Sequence, residues 1–173
     1  MPKRKHKKFN RPRKIYDKAI IKEEQALIKK YGLKNRREVW KADYAISKIR
    51  NIAKTLITAN EEDKEKFINR QKAKGFEVNN IADILGLNKE DYLKRRLQTI
   101  ALKKGYAKTP TQARQLITHK HVKLNGNIIN SPSHLTTLEE EKSISSKTII
   151  NKDKITLEEK EILEKIKPKE EEK

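Results

Sequence analysis

Cysteine is absent from this 173-residue chain, which excludes disulfides and thiolate zinc sites and fits a reducing compartment. Aromatic residues make up only 5% and apolar residues only 34%. That is too little for one large core, and one or two small domains with charged extensions fit better. There is no long apolar run and no apolar core of a signal peptide, so neither a membrane span nor a secretory leader is expected. Acid is missing too, but only locally. Between Tyr92 and Leu138 stand nine lysines and arginines, three histidines and no aspartate or glutamate.

What is present in excess is positive charge. The chain has 43 Lys and Arg against 24 Asp and Glu, a formal net charge of +19, which implies a polyanionic partner. The excess lies in residues 1–138, with 34 basic and 13 acidic side chains, whereas residues 139–173 hold 9 and 11. The tail is therefore not the binding surface. A membrane surface is the weaker partner because few aromatics are available to anchor at an interface. The expected location is cytosolic.

Residues 1–14 contain eight Lys or Arg, two prolines and no acid, the composition of an arm that stays disordered until it meets a phosphate backbone. From Asp17 to Tyr31, the residues Ile20, Ile21, Leu27, Ile28 and Tyr31 recur at helical spacing, and Gly32 suits a left-handed cap. A second helix, capped by Asn35, carries an apolar stripe from Val39 through Ala42, Ile46, Ile49 and Ala53 to Ile57, and extends as far as Ala59. Asn60 caps a third, whose acidic first turn Glu61-Glu62-Asp63 complements the helix dipole. Gly75 ends that helix, with Phe67 and Ile68 facing its packing partner. A short helix over Asn80–Leu85, the break Gly86-Leu87-Asn88 and the turn Lys89-Glu90-Asp91 complete an all-helical domain of residues 15–92.

The next segment, residues 93–146, reads differently. A helix over Leu93–Lys104 places Leu93, Leu97, Ile100 and Ala101 on one face and leaves Arg95 and Arg96 pointing away from the core. Thr109 caps a second helix with Pro110 at its first position and Gln112 completing a capping box. Ala113, Leu116 and Ile117 are buried, leaving Gln112, Arg114 and Gln115 outside to donate to phosphates or base edges, beside the exposed amides of the helix amino terminus. Asn125-Gly126, between Val122-Lys123-Leu124 and Asn127-Ile128-Ile129, is a hairpin signal.

This order of two helices, a His119-Lys120-His121 turn, Val122-Lys123-Leu124-Asn125-Gly126 and Asn130-Ser131-Pro132-Ser133 resembles the RNA-binding motif named after ribosomal protein S-four. That module also occurs in some pseudouridine synthases and tyrosyl-tRNA synthetases. The fit is close at Arg95-Arg96-Leu97-Gln98 and at Gln112-Ala113-Arg114-Gln115-Leu116-Ile117. Beyond the module, Lys30-Tyr31-Gly32-Leu33-Lys34-Asn35-Arg36-Arg37-Glu38-Val39-Trp40 and Ile84-Leu85-Gly86-Leu87 look like the helical part of the ribosomal protein family in its archaeal and eukaryotic branch. The likeness covers roughly residues 15–138. It departs from the family at Thr136–Ser145, where a Gly-Asp turn usually precedes the last strand, leaving that strand unplaced. It also lacks the four-cysteine zinc site of many bacterial members.

The resemblance implies an α+β fold: a small all-helical domain, then a two-helix, short-sheet RNA-binding module, with a basic amino-terminal arm and a charged carboxy-terminal tail. It implies a structural constituent of the small ribosomal subunit. Such a protein binds the five-prime domain of small-subunit ribosomal RNA, nucleates assembly of the subunit body and influences translational accuracy together with small-subunit proteins five and twelve, touching protein five. Carried over residue by residue, the RNA-facing candidates are Arg95, Arg96, Lys108, Thr109, Gln112, Arg114, Gln115, His119, Lys120, His121, Lys123 and Asn125. Lys and Arg would neutralise phosphates, Thr109 and the following amides would hold one phosphate, and Gln112 or Gln115 would reach sugar or base edges. No catalytic group, metal, cofactor, membrane or small-molecule substrate is implied.

Blander readings apply to other features. His119 and His121 lack a cysteine or well-placed carboxylate to complete a metal site and fit RNA contact or a plain turn better. Trp40 and Tyr44 read as core in a domain this poor in aromatics. Glu139-Glu140-Glu141 reads as a solvated run. Residues 147–173 read as a charged tail with a mixed-charge helix over Thr156–Lys167, and a cut after Lys142 should leave RNA affinity nearly intact. Two alternatives keep the module but change the function: the targeting part of an RNA-modifying enzyme, or a free-standing RNA chaperone or ribosome-rescue factor. About 80 remaining helical residues are too few for a typical catalytic domain.

Overall fold

A computed structural model describes residues 6–146 of the chain. The order is α1 (Lys18–Tyr31), α2 (Arg36–Leu56), α3 (Glu61–Ala73), α4 (Ile81–Gly86), α5 (Lys89–Lys94), α6 (Leu97–Lys103), α7 (Pro110–Thr118), β1 (Val122–Leu124), β2 (Asn127–Ile128), α8 (Leu138–Ser143) and β3 (Ser145–Ser146). This is an α+β chain, mostly helical, with one small antiparallel sheet. It divides into two compact units. One comprises residues up to Lys29 with Leu33–Leu93, and the other comprises Lys30–Gly32 with the residues from Lys94 onward. Among the described residues no helix is long and apolar enough to cross a membrane. The tail helix expected over Thr156–Lys167 lies outside the described residues.

In the first unit the apolar stripes meet in a core of Ile46, Ala53, Phe67, Phe76, Val78, Ile84 and Leu87. Asn35 and Asn60 stand at the N-cap positions of α2 and α3 in extended conformation, yet neither side chain makes a capping hydrogen bond. A cap that does close is at α4, where the Asp83 carboxylate accepts the amides of Asn79 (2.9 Å) and Asn80 (3.0 Å). These two bonds hold its pKa below the usual carboxylate value. Trp40 is buried, as its setting predicts, and donates its indole N–H to Glu24 at 2.7 Å. The same carboxylate accepts Arg36 Nε, so a nearly inaccessible charge has both partners it needs. Phe9 of the basic arm stacks on Trp40 with ring centroids 6.2 Å apart. Part of an arm expected to remain disordered therefore packs on the domain.

The second unit buries Leu97, Ile100, Ala101, Leu102, Ala107, Ala113, Ile117, Val122, Leu124 and Ile144 between its helices and sheet. The strand order is β2-β1-β3. Pairing of Lys123 with Ile128 and Leu124 with Asn127 leaves Asn125-Gly126 as a two-residue turn, with φ of +48° and +81°. Both values suit a type I′ hairpin, whose twist matches its strands. The strand left unplaced by the sequence is β3, which pairs antiparallel with β1 through Val122–Ser146 and Lys123–Ser145. Ile144, just before it, is 5% exposed, and its carbonyl accepts the Tyr106 hydroxyl at 2.9 Å. A cut after Lys142, expected to leave RNA affinity nearly intact, would remove both features from the folded unit.

Two further expectations fail for one reason, the segment Leu135–Glu141. The helix expected over Leu93–Lys104 breaks at Arg95-Arg96. Arg96 is extended there and bridges to Leu135, with Leu97 N–H donating to His134 O at 2.8 Å and Thr136 N–H to Arg95 O at 3.1 Å. The acids expected to be a solvated run begin α8. Glu140 closes a capping box with Thr137, its carboxylate accepting the Thr137 amide at 2.9 Å, and lies 3.2 Å from His134. Burial raises the Glu140 pKa, but the Thr137 amide and His134 outweigh it and hold the pKa below the usual value.

Candidate nucleic-acid interface

All the sequence-predicted contact residues lie in the second unit, but in two different settings. Arg95 and Arg96 are built into the fold. Arg96 is 4% exposed. Arg95 pairs with Glu141 at 2.7 Å and donates to Thr136 O at 3.3 Å. Neither stands clear on a helix face as the sequence suggests, because the break between α5 and α6 pairs their backbone with Leu135 and Thr136.

At the start of α7 the Thr109 hydroxyl accepts the Gln112 amide at 3.2 Å, as its position predicts. The reciprocal bond closes one residue earlier than expected, with Gln112 Oε1 accepting Lys108 N–H at 2.9 Å. The phosphate expected at this end finds few donors. Pro110 has no N–H, Gln112 N–H goes to Thr109 Oγ1, and Ala113 N–H to Thr109 O. Only the Thr111 amide remains, and the Gly32 backbone lies against it: a Cβ on Gly32 would come within 3.0 Å of that nitrogen and 2.7 Å of Pro110 Cβ. With a φ of +58°, Gly32 is doubly constrained to have no side chain. Gln98, 1% exposed, fixes the approach. Its Nε2 lies 3.0 Å from Tyr31 O, 3.0 Å from Gly32 O and 2.8 Å from Pro110 O, two hydrogens shared by three carbonyls. Gln98 stands in the Arg95-Arg96-Leu97-Gln98 stretch that fits the family, but nothing local marks this role for it. Its partners lie as far as 67 residues away.

The opposite end of α7 is open. Gln115, His119 and Lys120 are exposed, and Arg114, His121 and Lys123 are half-buried. Gln115, Leu116, His119 and His121 line a shallow depression of about 260 Å³. Lys120 N–H bonds to Ile117 O and His121 N–H to Leu116 O, both at 3.0 Å, the paired bonds of a Schellman ending. The left-handed position in that motif usually belongs to glycine. Here it is Lys120, with φ +63°. Along β1, Val122 and Leu124 turn into the core, which puts His121, Lys123 and Asn125 on the other face by strand alternation. From Arg114 to Asn125 the chain contains no acid, so the surface offers imidazoles, amides and ammonium groups together. Among the described residues no His, Asp or Glu cluster capable of holding a metal occurs. This chemistry suits phosphates and nucleobase edges, not covalent catalysis.

Comparison with known proteins agrees with that geometry. Residues 95–141 match the S4 domain family. The small ribosomal subunit protein uS4 of Korarchaeum cryptofilum is 42% identical over 147 residues, covering 82% of this chain and 89% of the relative. That of Methanococcus aeolicus is 40% identical over 151 residues, covering 83% and 85%, and that of Sulfurisphaera tokodaii is 42% identical over 147 residues, covering 81% and 83%. Identity at this level, spread over both compact units and not only the matched domain, makes the chain a member of the uS4 family of small ribosomal subunit proteins.

Proposed function

We propose that this protein binds small-subunit ribosomal RNA as a structural constituent of the particle, and that the surface from Arg114 to Asn125 carries the recognition. One observation carries the reading. The acid-free stretch of the sequence folds so that the end of α7, the left-handed Lys120 turn and the outer face of β1 present Arg114, Gln115, His119, Lys120, His121, Lys123 and Asn125 along one continuous run of chain. In this reading Lys and Arg neutralise phosphates, and Gln115 and the two histidines reach sugar or base edges. Lys108, Thr109 and Gln112 order the near end of α7, and Arg95 and Arg96 brace the module from within. The helical domain of residues 15–92 and the module of residues 93–146 divide the work, the first adding backbone contacts through its surface Lys and Arg.

The finer roles rest on the family resemblance: binding the five-prime domain, nucleating assembly of the subunit body, tuning decoding accuracy, and contact with protein five in a functional set that includes protein twelve. Membership of a ribosomal protein family sets aside the modifying-enzyme alternative. The test is a competition at physiological salt between the five-prime domain of small-subunit ribosomal RNA and an equal mass of unrelated structured RNA. A preference of about two orders of magnitude or more is expected of a specific binder. Equal affinity would overturn the reading and favour a general RNA chaperone.

A further inference from the structure

In the first unit, where the end of α2 meets α3 and α4, lies a groove of about 550 Å³ with Ile57, Ile68, Ile81, Ala82 and Leu85 in its walls. Ile57 is 53% exposed, a large aliphatic side chain left uncovered at the groove edge. The rim is unlike the rest of the molecule. Residues 61–66 hold four acids against two lysines, and both lysines are already committed. Lys64 lies 2.7 Å from Glu61 with only 20% of its side chain exposed, and Lys66 lies 3.5 Å from Glu62. Of these Glu61, Lys64 and Glu65 line the groove, and Glu65 does so with no salt bridge of its own among the described residues. Asn79 and Asn80 also line the groove, their amides bonded to Asp83.

An apolar slot with a negative rim repels phosphate and attracts cations, on a chain whose net charge is +19. Proteins packed around ribosomal RNA carry positive charge for the reason this one does, so two of them in contact repel unless one presents acid. We infer that this groove receives a short basic segment of a neighbouring small-subunit protein, with one or two aliphatic side chains filling the slot over Ile57, Ile68 and Leu85 and with Lys or Arg paired to Glu65. The apolar insertion supplies the anchor, and the rim sets which partner is accepted.

The probe is a peptide of about a dozen residues with leucines at helical i, i+4 spacing and lysines elsewhere. It is titrated onto the full chain beside two counterparts, one with glutamate replacing lysine and one with serine replacing leucine. Methyl resonances of Ile57, Ile68 and Leu85 and fluorescence anisotropy are the readouts. The lysine-leucine peptide should shift those methyls and bind at least tenfold more tightly than either counterpart. Ile57→Ser and Glu65→Lys should each weaken it about tenfold, only the second erasing its dependence on salt, while affinity for ribosomal RNA is unchanged. The exposed position of Ile57 keeps its replacement from unfolding the unit, which a thermal melt checks. Indifference to either variant, or equal binding of the three peptides, would overturn the inference. So would shielding of the same methyls by ribosomal RNA alone, by self-association of the chain, or by a tail whose removal after Ser146 exposes them.

Discussion

Replacing Lys120 with glycine should make the protein more stable and a poorer RNA binder. Lys120 occupies the left-handed position that ends α7, at φ +63°, where a β-carbon crowds the following carbonyl at a cost of about 1–2 kcal/mol. Glycine removes that cost but has a freer unfolded chain, which returns about 0.5–1 kcal/mol. The two amide bonds of the motif, Lys120 N–H to Ile117 O and His121 N–H to Leu116 O, are backbone bonds and survive the change. The net gain is about 0.5–1 kcal/mol, a rise of a few degrees in melting temperature. If the ammonium group meets one phosphate, its loss lowers the slope of log affinity against log salt by about 0.7–0.9. Thermal melts by circular dichroism and filter binding across a salt series measure both quantities on one sample. Lys120→Arg is the control, since it keeps the strain and the charge and should move neither. A glycine variant that melts lower, or binds RNA with the original slope, would refute the claim that strain is retained here to present a cation.

Gly32→Ala combines a left-handed φ with a Cβ 2.7 Å from Pro110 Cβ and 2.9 Å from its carbonyl carbon, and should cost roughly 2–4 kcal/mol; an unchanged urea midpoint would contradict it. Ending the chain after Ser146 should leave melting and RNA affinity intact, whereas ending it after Lys142 deletes buried Ile144 and β3 at about 2–5 kcal/mol; equal melts of the two truncations would show that β3 adds nothing. Asp83 has a folded-state pKa lowered by the Asn79 and Asn80 amides, so its stabilisation is present above the ordinary carboxylate value of about 4 and fades as pH falls through and below it. Asp83→Asn should flatten that acid limb in urea midpoints taken between about pH 6 and pH 3. Arg114→Ala should weaken ribosomal RNA binding and flatten the salt slope if it meets phosphate; unchanged affinity in a folded variant would remove it from the interface.

Local signals were legible wherever neighbours in sequence are also the physical partners. The spacing of Leu27 and Tyr31, the stripe from Val39 to Ala53, Thr109-Pro110 and Asn125-Gly126 each carry their reason within a few residues. The break at Arg95-Arg96 carries none, because its cause is pairing with Leu135 and Thr136, some 40 residues on. The strand β3 is two serines with no alternation to read, and its register comes from β1. Glu140 and Glu141 look like tail until His134 and Arg95 are seen beside them. In the proposed interface, the residue types come from the acid-free composition, but the strain at Lys120 was not readable, since nothing in a lysine announces a position suited to glycine. The groove beside Ile57 was hidden for a similar reason: the acids of α3 read as helix-dipole partners, and their place beside an apolar slot is a tertiary fact.

The second unit is not a continuous piece of chain. Its amide-to-carbonyl bonds from Gln98 to Tyr31 and Gly32 span 67 and 66 residues, so a fragment beginning at residue 93 would lack two of the three carbonyls around that buried amide. During synthesis Gly32 is made long before Gln98, and the unit must wait for a large loop to close. Loops of that size slow folding more than they weaken the product. Both halves of that bracing, Gly32 and Gln98, are nevertheless made before Arg114 to Asn125, so the proposed interface is added to a chain that already carries its support.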